Sequence, residues 1–245
     1  MLLEERLKKI GDSLFRFRAY IPLLLVIFLI LGMRRFYYFG SSHLYDLIFE
    51  FVCLSVSLLG FAIRVFTIGY CRKGTSGKNI KGQYAQNLNT DGMYSIMRNP
   101  LYLGNLFIIL GVSMLSLNYE LIIINLLLYT CFYVPIVLRE EEFLVQAFGE
   151  VYLKYVKRTP TFLPNFKLWK KPELKFNFLR VLHCEHDAFM GIIWGFYAME
   201  LLSDYIINKK FCFDVLWTVI FVSTLVLWCL LKCTEKQLKS LDKGI

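Results

Sequence analysis

The chain has 245 residues, of which 57% are hydrophobic and 17% aromatic, with a mean hydropathy of +0.51 and a formal net charge of +9. That composition excludes an ordinary soluble domain and points to a chain with several membrane crossings. The positive charge does not argue for nucleic-acid binding, because it is confined to particular loops in a pattern that reports membrane topology.

Six apolar runs, at about 19–37, 44–69, 100–117, 120–138, 187–206 and 212–232, approach the roughly 20 residues needed to cross a hydrocarbon core of about 30 Å. They predict an all-α, polytopic membrane protein with about six transmembrane helices. The first run follows basic residues as a signal peptide would. It lacks a small-residue cleavage site and ends in Arg34 and Arg35, so it reads as a retained anchor. Alternating the loops across six spans puts the 1–18 tail, the 70–99 loop, the 139–186 segment and the tail after 231 on one side. Every Lys and Arg except Arg34, Arg35, Arg64, Lys209 and Lys210 lies there, which predicts that both termini are cytoplasmic. The chain divides into an anchor and second span (1–69), a central unit (70–165), and a basic linker with two further spans (166–245).

The 70–99 loop is polar and rich in Gly, Asn and Lys. Its "GTSGKN" is not a phosphate-binding loop, because Arg72 stands at the first glycine position and Asn79 follows the lysine. The amides Asn79, Gln83, Gln86, Asn87 and Asn89 favour a binding role over a plain connector. Seven cysteines, at 53, 71, 131, 184, 212, 229 and 233, form no C-x-x-C pair, so neither a disulfide framework nor a zinc site follows.

The third and fourth runs are joined only by "LNYE" (117–120) and must form an antiparallel hairpin. Runs of nearly equal length, about 18 residues or about 27 Å, return the end of the fourth beside the start of the third. The geometry predicts that 98–104 lies close to 138–142. Beyond Arg139, Phe143, Leu144, Phe148, Val151, Tyr152 and Tyr155 recur at helical spacing. This predicts a cytoplasmic amphipathic helix, ended by Pro160 and Pro164.

Arg98, Asn99 and Pro100 read as an interfacial cation, an N-cap and a first helical residue. Tyr102 and Gly104, one turn deeper, put an aromatic ring beside bare backbone, which suits a flat ligand at a helix N-terminus. Glu140, Glu141 and Glu142 repel one another, and read either as a solvated acidic turn beside Arg139 or, opposite Arg98 and Tyr102 across the hairpin, as holders of a cation or sugar hydroxyls. Arg64 lies inside the second run, where an arginine is either a functional candidate or a side chain that snorkels to the interface. "HCEHD" (183–187) offers Glu185 and His186 as substrate-contacting groups. It is too poor in ligands for a metal site, since His43, the remaining histidine besides His183, falls on the other side.

"GMYSIMRNPLYLG" (92–104) followed by "EEEFLVQAFGEVYLKYVKRTPTFLP" (140–164) resembles the integral-membrane methyltransferases that include the isoprenylcysteine carboxyl and phospholipid methyltransferases. Their pattern is Arg-His-Pro-x-Tyr-x-Gly, a hairpin, then Glu-Glu-x-x-Leu-x-x-x-Phe-Gly-x-x-Tyr-x-x-Tyr. Glu140, Glu141, Leu144, Phe148, Gly149, Tyr152 and Tyr155 fit the second part. The resemblance covers about residues 75–165 and implies S-adenosylmethionine bound at the cytoplasmic end of the hairpin. It implies that Tyr94, Asn99, Pro100, Leu101, Tyr102 and Gly104 wall that site, with Gln86, Asn87, Leu88 and Asn89 passing over it. Glu140 and Glu141 would take polar groups of the cofactor, and Arg98 and Arg139 would face the reaction. Asn99 departs from the family histidine and cannot carry a proton near neutral pH. The lack of a base beside several arginines favours an anionic lipid-type acceptor, such as a prenylcysteine carboxylate or a lipid phosphate. Two other classes share features with the chain: NADPH-dependent membrane sterol reductases, which carry a similar Arg-x-Pro-x-Tyr-x-Gly element, and a non-catalytic membrane scaffold.

Overall fold

The computed structural model describes residues 2–33, 36–72, 74–75 and 85–244. Arg34 and Arg35 of the topology reading, and Asn79 and Gln83 of the polar loop, lie outside the described residues. The described residues form helices and turns without strand. The helices are α1 Leu2–Phe17, α2 Ile21–Gly32, α3 His43–Gly69, α4 Met93–Ile96, α5 Pro100–Met114, α6 Tyr119–Phe148, α7 Glu150–Arg158, α8 Phe178–Asn208 and α9 Val215–Gly244.

Four of them, α3, α6, α8 and α9, are each long and apolar enough to cross a bilayer. The first expected span is broken: Lys9–Phe17 of α1 meets α2 at 82°. At the corner Tyr20 N donates to Phe17 O at 2.8 Å, and the Arg18 guanidinium lies 3.6 Å from the Phe15 ring centre. Pro22 in the first turn of α2 has no N–H with which to extend α1. The third expected span, α5, has 15 residues, about 22 Å at 1.5 Å per residue against a core of about 30 Å. The expected six crossings thus become four long helices, one bent pair and one short helix among the described residues.

Shortness suits α5 because it sits at the centre, packed by α2, α3, α6 and α8. Its contact with α3 is backbone against backbone. A Cβ at Gly104 would lie 2.7 Å from Gly60 O, and one at Gly111 would lie 2.4 Å from Cys53 O. Small residues at this spacing let two helices approach closely in an apolar medium. Around α5 are two apolar clusters. One joins Val26, Cys53, Val112, Phe196 and Trp217 from α2, α3, α5, α8 and α9. The other joins Phe15, Leu25, Ile109, Tyr133 and Ile136 from α1, α2, α5 and α6.

The α5–α6 hairpin closes as expected, through a turn in which Leu117 has φ 49°. Asn118 caps α6, its Oδ1 accepting from Glu120 N at 2.9 Å and Leu121 N at 3.2 Å. The two arms are unequal, however: α6 has 30 residues and continues past Arg139 to Phe148. The expected amphipathic helix is therefore two pieces, the end of α6 and α7. They break at Gly149, whose φ of 51° disfavours any side chain although a Cβ there would meet nothing within 4 Å.

Candidate functional site

The hairpin brings the two halves of the sequence pattern together. Tyr102 Oη, on the first turn of α5, donates to Glu140 Oε2 on α6 at 2.8 Å. Tyr129 Oη, three turns back along α6, donates to Tyr102 O at 2.6 Å, and the Tyr102 and Tyr133 rings lie 5.2 Å apart. Arg18, at the α1–α2 corner, is within electrostatic reach of both Tyr102 and Glu140.

One residue further along α6, Glu141 takes a two-pronged ion pair from Arg98, with Nε at 2.8 Å and Nη2 at 3.0 Å. Arg98 also donates to Thr161 Oγ1 at 2.6 Å, Thr159 O at 2.9 Å and Val156 O at 3.2 Å. All five guanidinium N–H groups are thereby occupied. Arg98 is a strut binding the entry of α5 to α6 and to the chain after α7, not a free cation facing a reaction. Arg139 points to a different side of α6, where Asp12 Oδ1 and Glu142 Oε2 each lie 2.6 Å from it. The structure does not bring it to Tyr102 and Glu140.

Asn99 begins α5 as expected, but its side chain does not cap the helix. Instead Nδ2 faces Glu141 Oε1 at 3.3 Å and Thr161 O at 3.4 Å. Among the described residues no side chain caps the first turn of α5, which Pro100 and Leu101 share with Tyr102, and the first amides of a helix have no partner within it. Gly104 turns away from this end toward α3, and its bare backbone serves helix packing, not a flat ligand.

Tyr94 lies within electrostatic reach of Cys71, Tyr155, Glu140 and Arg64, and so occupies the middle of this end of the bundle. Burial holds its phenol proton well above the ordinary range, and the Glu140 carboxylate nearby adds to this. Its carbonyl accepts from Tyr155 Oη at 2.7 Å. Burial likewise raises Tyr152 and Tyr155, so these phenols stay neutral donors at physiological pH. Of the loop residues, Gln86 and Asn87 are exposed, Leu88 is half-buried and Asn89 is buried. Asn89 is engaged locally: its Nδ2 donates to Cys71 Sγ and Thr75 Oγ1, both at 2.9 Å, and its Oδ1 accepts from Arg72 N at 3.1 Å.

A second polar group lies deeper between α3, α5 and α8. Arg64 donates to Glu185 through Nε at 2.7 Å and Nη2 at 2.9 Å, and to Asn105 Oδ1 through Nη1 at 2.6 Å. Tyr129 and Tyr133 are within electrostatic reach of this arginine, which sets the two groups near one another. His186 stands beside it but turns its Nδ1 to Leu182 O at 2.9 Å, and its Nε2 lies 3.3 Å from Asp187. Tyr129, Tyr133 and Thr161 escaped the sequence reading. The only signal for the tyrosines is their position four, then seven, residues apart on the Glu140 face of α6.

Residues 50–151 match the phospholipid methyltransferase family. The cobalt-zinc-cadmium resistance protein CzcN of Cupriavidus metallidurans is 30% identical over 117 residues, 48% of this chain and 51% of that protein. The protein-S-isoprenylcysteine O-methyltransferase of Xenopus laevis is 33% identical over 122 residues, 46% of this chain and 42% of the relative. That of Schizosaccharomyces pombe is 35% identical over 77 residues, 31% and 33% of the two chains. The chain thus spans about half or less of the length of these relatives. No solved structure matches it. With its motifs meeting across the α5–α6 hairpin, the chain is similar over residues 50–151 to the phospholipid methyltransferase family, and over shorter stretches to isoprenylcysteine O-methyltransferases.

Proposed function

We propose that the protein is a membrane methyltransferase that moves a methyl group from S-adenosylmethionine to an anionic lipid-type acceptor by in-line displacement. The observation that carries the proposal is the Tyr102–Glu140 contact, at 2.8 Å beside the uncapped start of α5. The residues fit this cofactor: a carboxylate can accept from an ammonium or sugar hydroxyl, and helix-terminal amides can donate to a carboxylate. S-adenosylmethionine supplies an electrophilic methyl on a positively charged sulfur.

Glu140, Tyr102, Asn99 and Tyr94 would hold the cofactor, with the 86–89 loop passing over it. Arg98 and Glu141 keep the α5 entry in place against α6. Among the described residues, three of the five N–H groups of Arg64 are occupied, by Glu185 and Asn105, and the other two would orient an anionic oxygen arriving from the lipid. An anionic acceptor needs no general base, consistent with asparagine at position 99 and with phenols that keep their protons. The apolar bundle excludes water from the transfer. On this reading the site opens on the cytoplasmic face, where the basic loops gather. Lipid mass spectrometry of cells with and without the protein tests the proposal. A lipid-linked species heavier by one methyl group only when the protein is present is expected, and identical lipid profiles would contradict it.

A further inference from the structure

Between α7 and α8, residues 159–177 wrap the same end of the bundle in extended chain and a single 3-10 turn at Phe166–Leu168. The segment lies outside every helix long enough to span a membrane, yet it exposes large apolar side chains. Leu163 is 83% exposed, Phe166 73% and Trp169 52%. Lys157, Arg158, Lys167, Lys170, Lys171 and Lys175 lie among and beside them, all exposed and none paired with an acid among the described residues. The acid of the segment, Glu173, is taken by Arg72.

The segment is firmly held. Arg98 N donates to Pro160 O at 2.8 Å, Asn165 N to Ile96 O at 2.9 Å, Gly92 N to Lys170 O at 2.9 Å, and Asn177 N to Gly69 O at 2.8 Å. Lys170 N also donates to Ser95 Oγ at 2.9 Å. Its backbone is therefore satisfied inward while aromatic rings and ammonium groups project outward. Exposed rings interleaved with unpaired lysines, flush with the ends of membrane helices, suit the boundary between acyl chains and headgroups. The excess of cations selects anionic headgroups.

We propose that residues 159–177 are an interfacial anchor that docks on anionic phospholipid headgroups of the bilayer the chain spans. Because the anchor is laced to Gly92–Arg98, docking fixes the depth of the α5 entry relative to the membrane surface. This surface does not depend on the methyltransferase reading.

The test uses the full chain in nanodiscs of brominated phosphatidylcholine, with and without phosphatidylserine. The contribution of Trp169 is read as the difference between the wild type and Trp169→Phe. Trp169 emission should shift to the blue and be quenched when phosphatidylserine is present. The triple variant Lys167→Gln, Lys170→Gln, Lys171→Gln should lose that quenching while keeping its circular dichroism. Equal quenching with and without phosphatidylserine, no quenching in either disc, or full quenching in the triple variant would overturn the proposal. So would a response of Trp169 to soluble polyglutamate without one to phosphatidylserine, which would assign the strip to an acidic protein.

Discussion

Three successive carboxylates on α6 do three different jobs. Glu140 meets Tyr102, Glu141 meets Arg98 and Glu142 meets Arg139. Neighbours on a helix point about 100° apart, so adjacency in sequence is divergence in space. That is why the sequence reading places Arg139 with Glu140 and the structure does not. The coupled spacing of the two motifs does identify the Tyr102 and Glu140 pair, since it needs only a hairpin and its register. Side-chain direction and saturation, as at Arg98, need coordinates. Arg98 has a testable consequence, because truncating one partner of a largely buried ion pair leaves a charge uncompensated and costs about 3–5 kcal/mol. Arg98→Ala should lower the thermal unfolding midpoint in detergent, and weaken cofactor binding with it. An unchanged midpoint would return Arg98 to the list of reaction-facing groups. Cys71 yields a second prediction. Burial pushes its thiol up, with hydrogen bonds from Thr75 and Asn89 pulling back only in part. A maleimide at pH 7 should therefore spare Cys71 in the folded protein and label it after denaturation. Since the folded thiol holds its proton more tightly, this contribution to stability is complete below the unfolded thiol pKa of about 8.5 and is lost as pH rises beyond it. Labelling of native Cys71 at pH 7, read by peptide mass spectrometry, would contradict this.

At the level of elements, hydropathy locates apolar runs and is blind to where a helix stops. The fourth run loses its apolar character at about 138, but Arg139, the three glutamates, Leu144, Gln146 and Ala147 are all acceptable in a helix. α6 therefore continues until Gly149, where φ turns positive. The bend before Pro22 and the shortness of α5 are hidden in the same way, since a window average carries no geometry. The Gly104–Gly111 spacing does show in the sequence, and it marks the seam with α3. Gly149→Ala meets no steric obstacle, so its effect is the backbone strain of φ 51° with ψ −126° alone, about 1–3 kcal/mol. Gly104→Leu drives a side chain into the backbone of Gly60 and should be far worse. Thermal unfolding of both variants checks the ranking, and a Gly104→Leu midpoint at or above that of Gly149→Ala would refute the seam.

For the molecule as a whole, α5 is the axis on which the rest is assembled. It carries Tyr102 toward Glu140 at one side and Asn105 toward Arg64 and Glu185 at the other. Polar groups buried in an apolar bundle mark functional candidates, and the proposed function gives these a charged donor and an anionic acceptor to hold. On the proposed function, both halves of the motif hold a single molecule of S-adenosylmethionine. Calorimetric titration of the detergent-purified protein and of Glu140→Ala, with S-adenosylmethionine and with NADPH, tests it most directly. Saturable binding of S-adenosylmethionine alone, lost in Glu140→Ala at an unchanged unfolding midpoint, is the predicted result. Equal affinity in the variant, or binding of NADPH in its place, would contradict it.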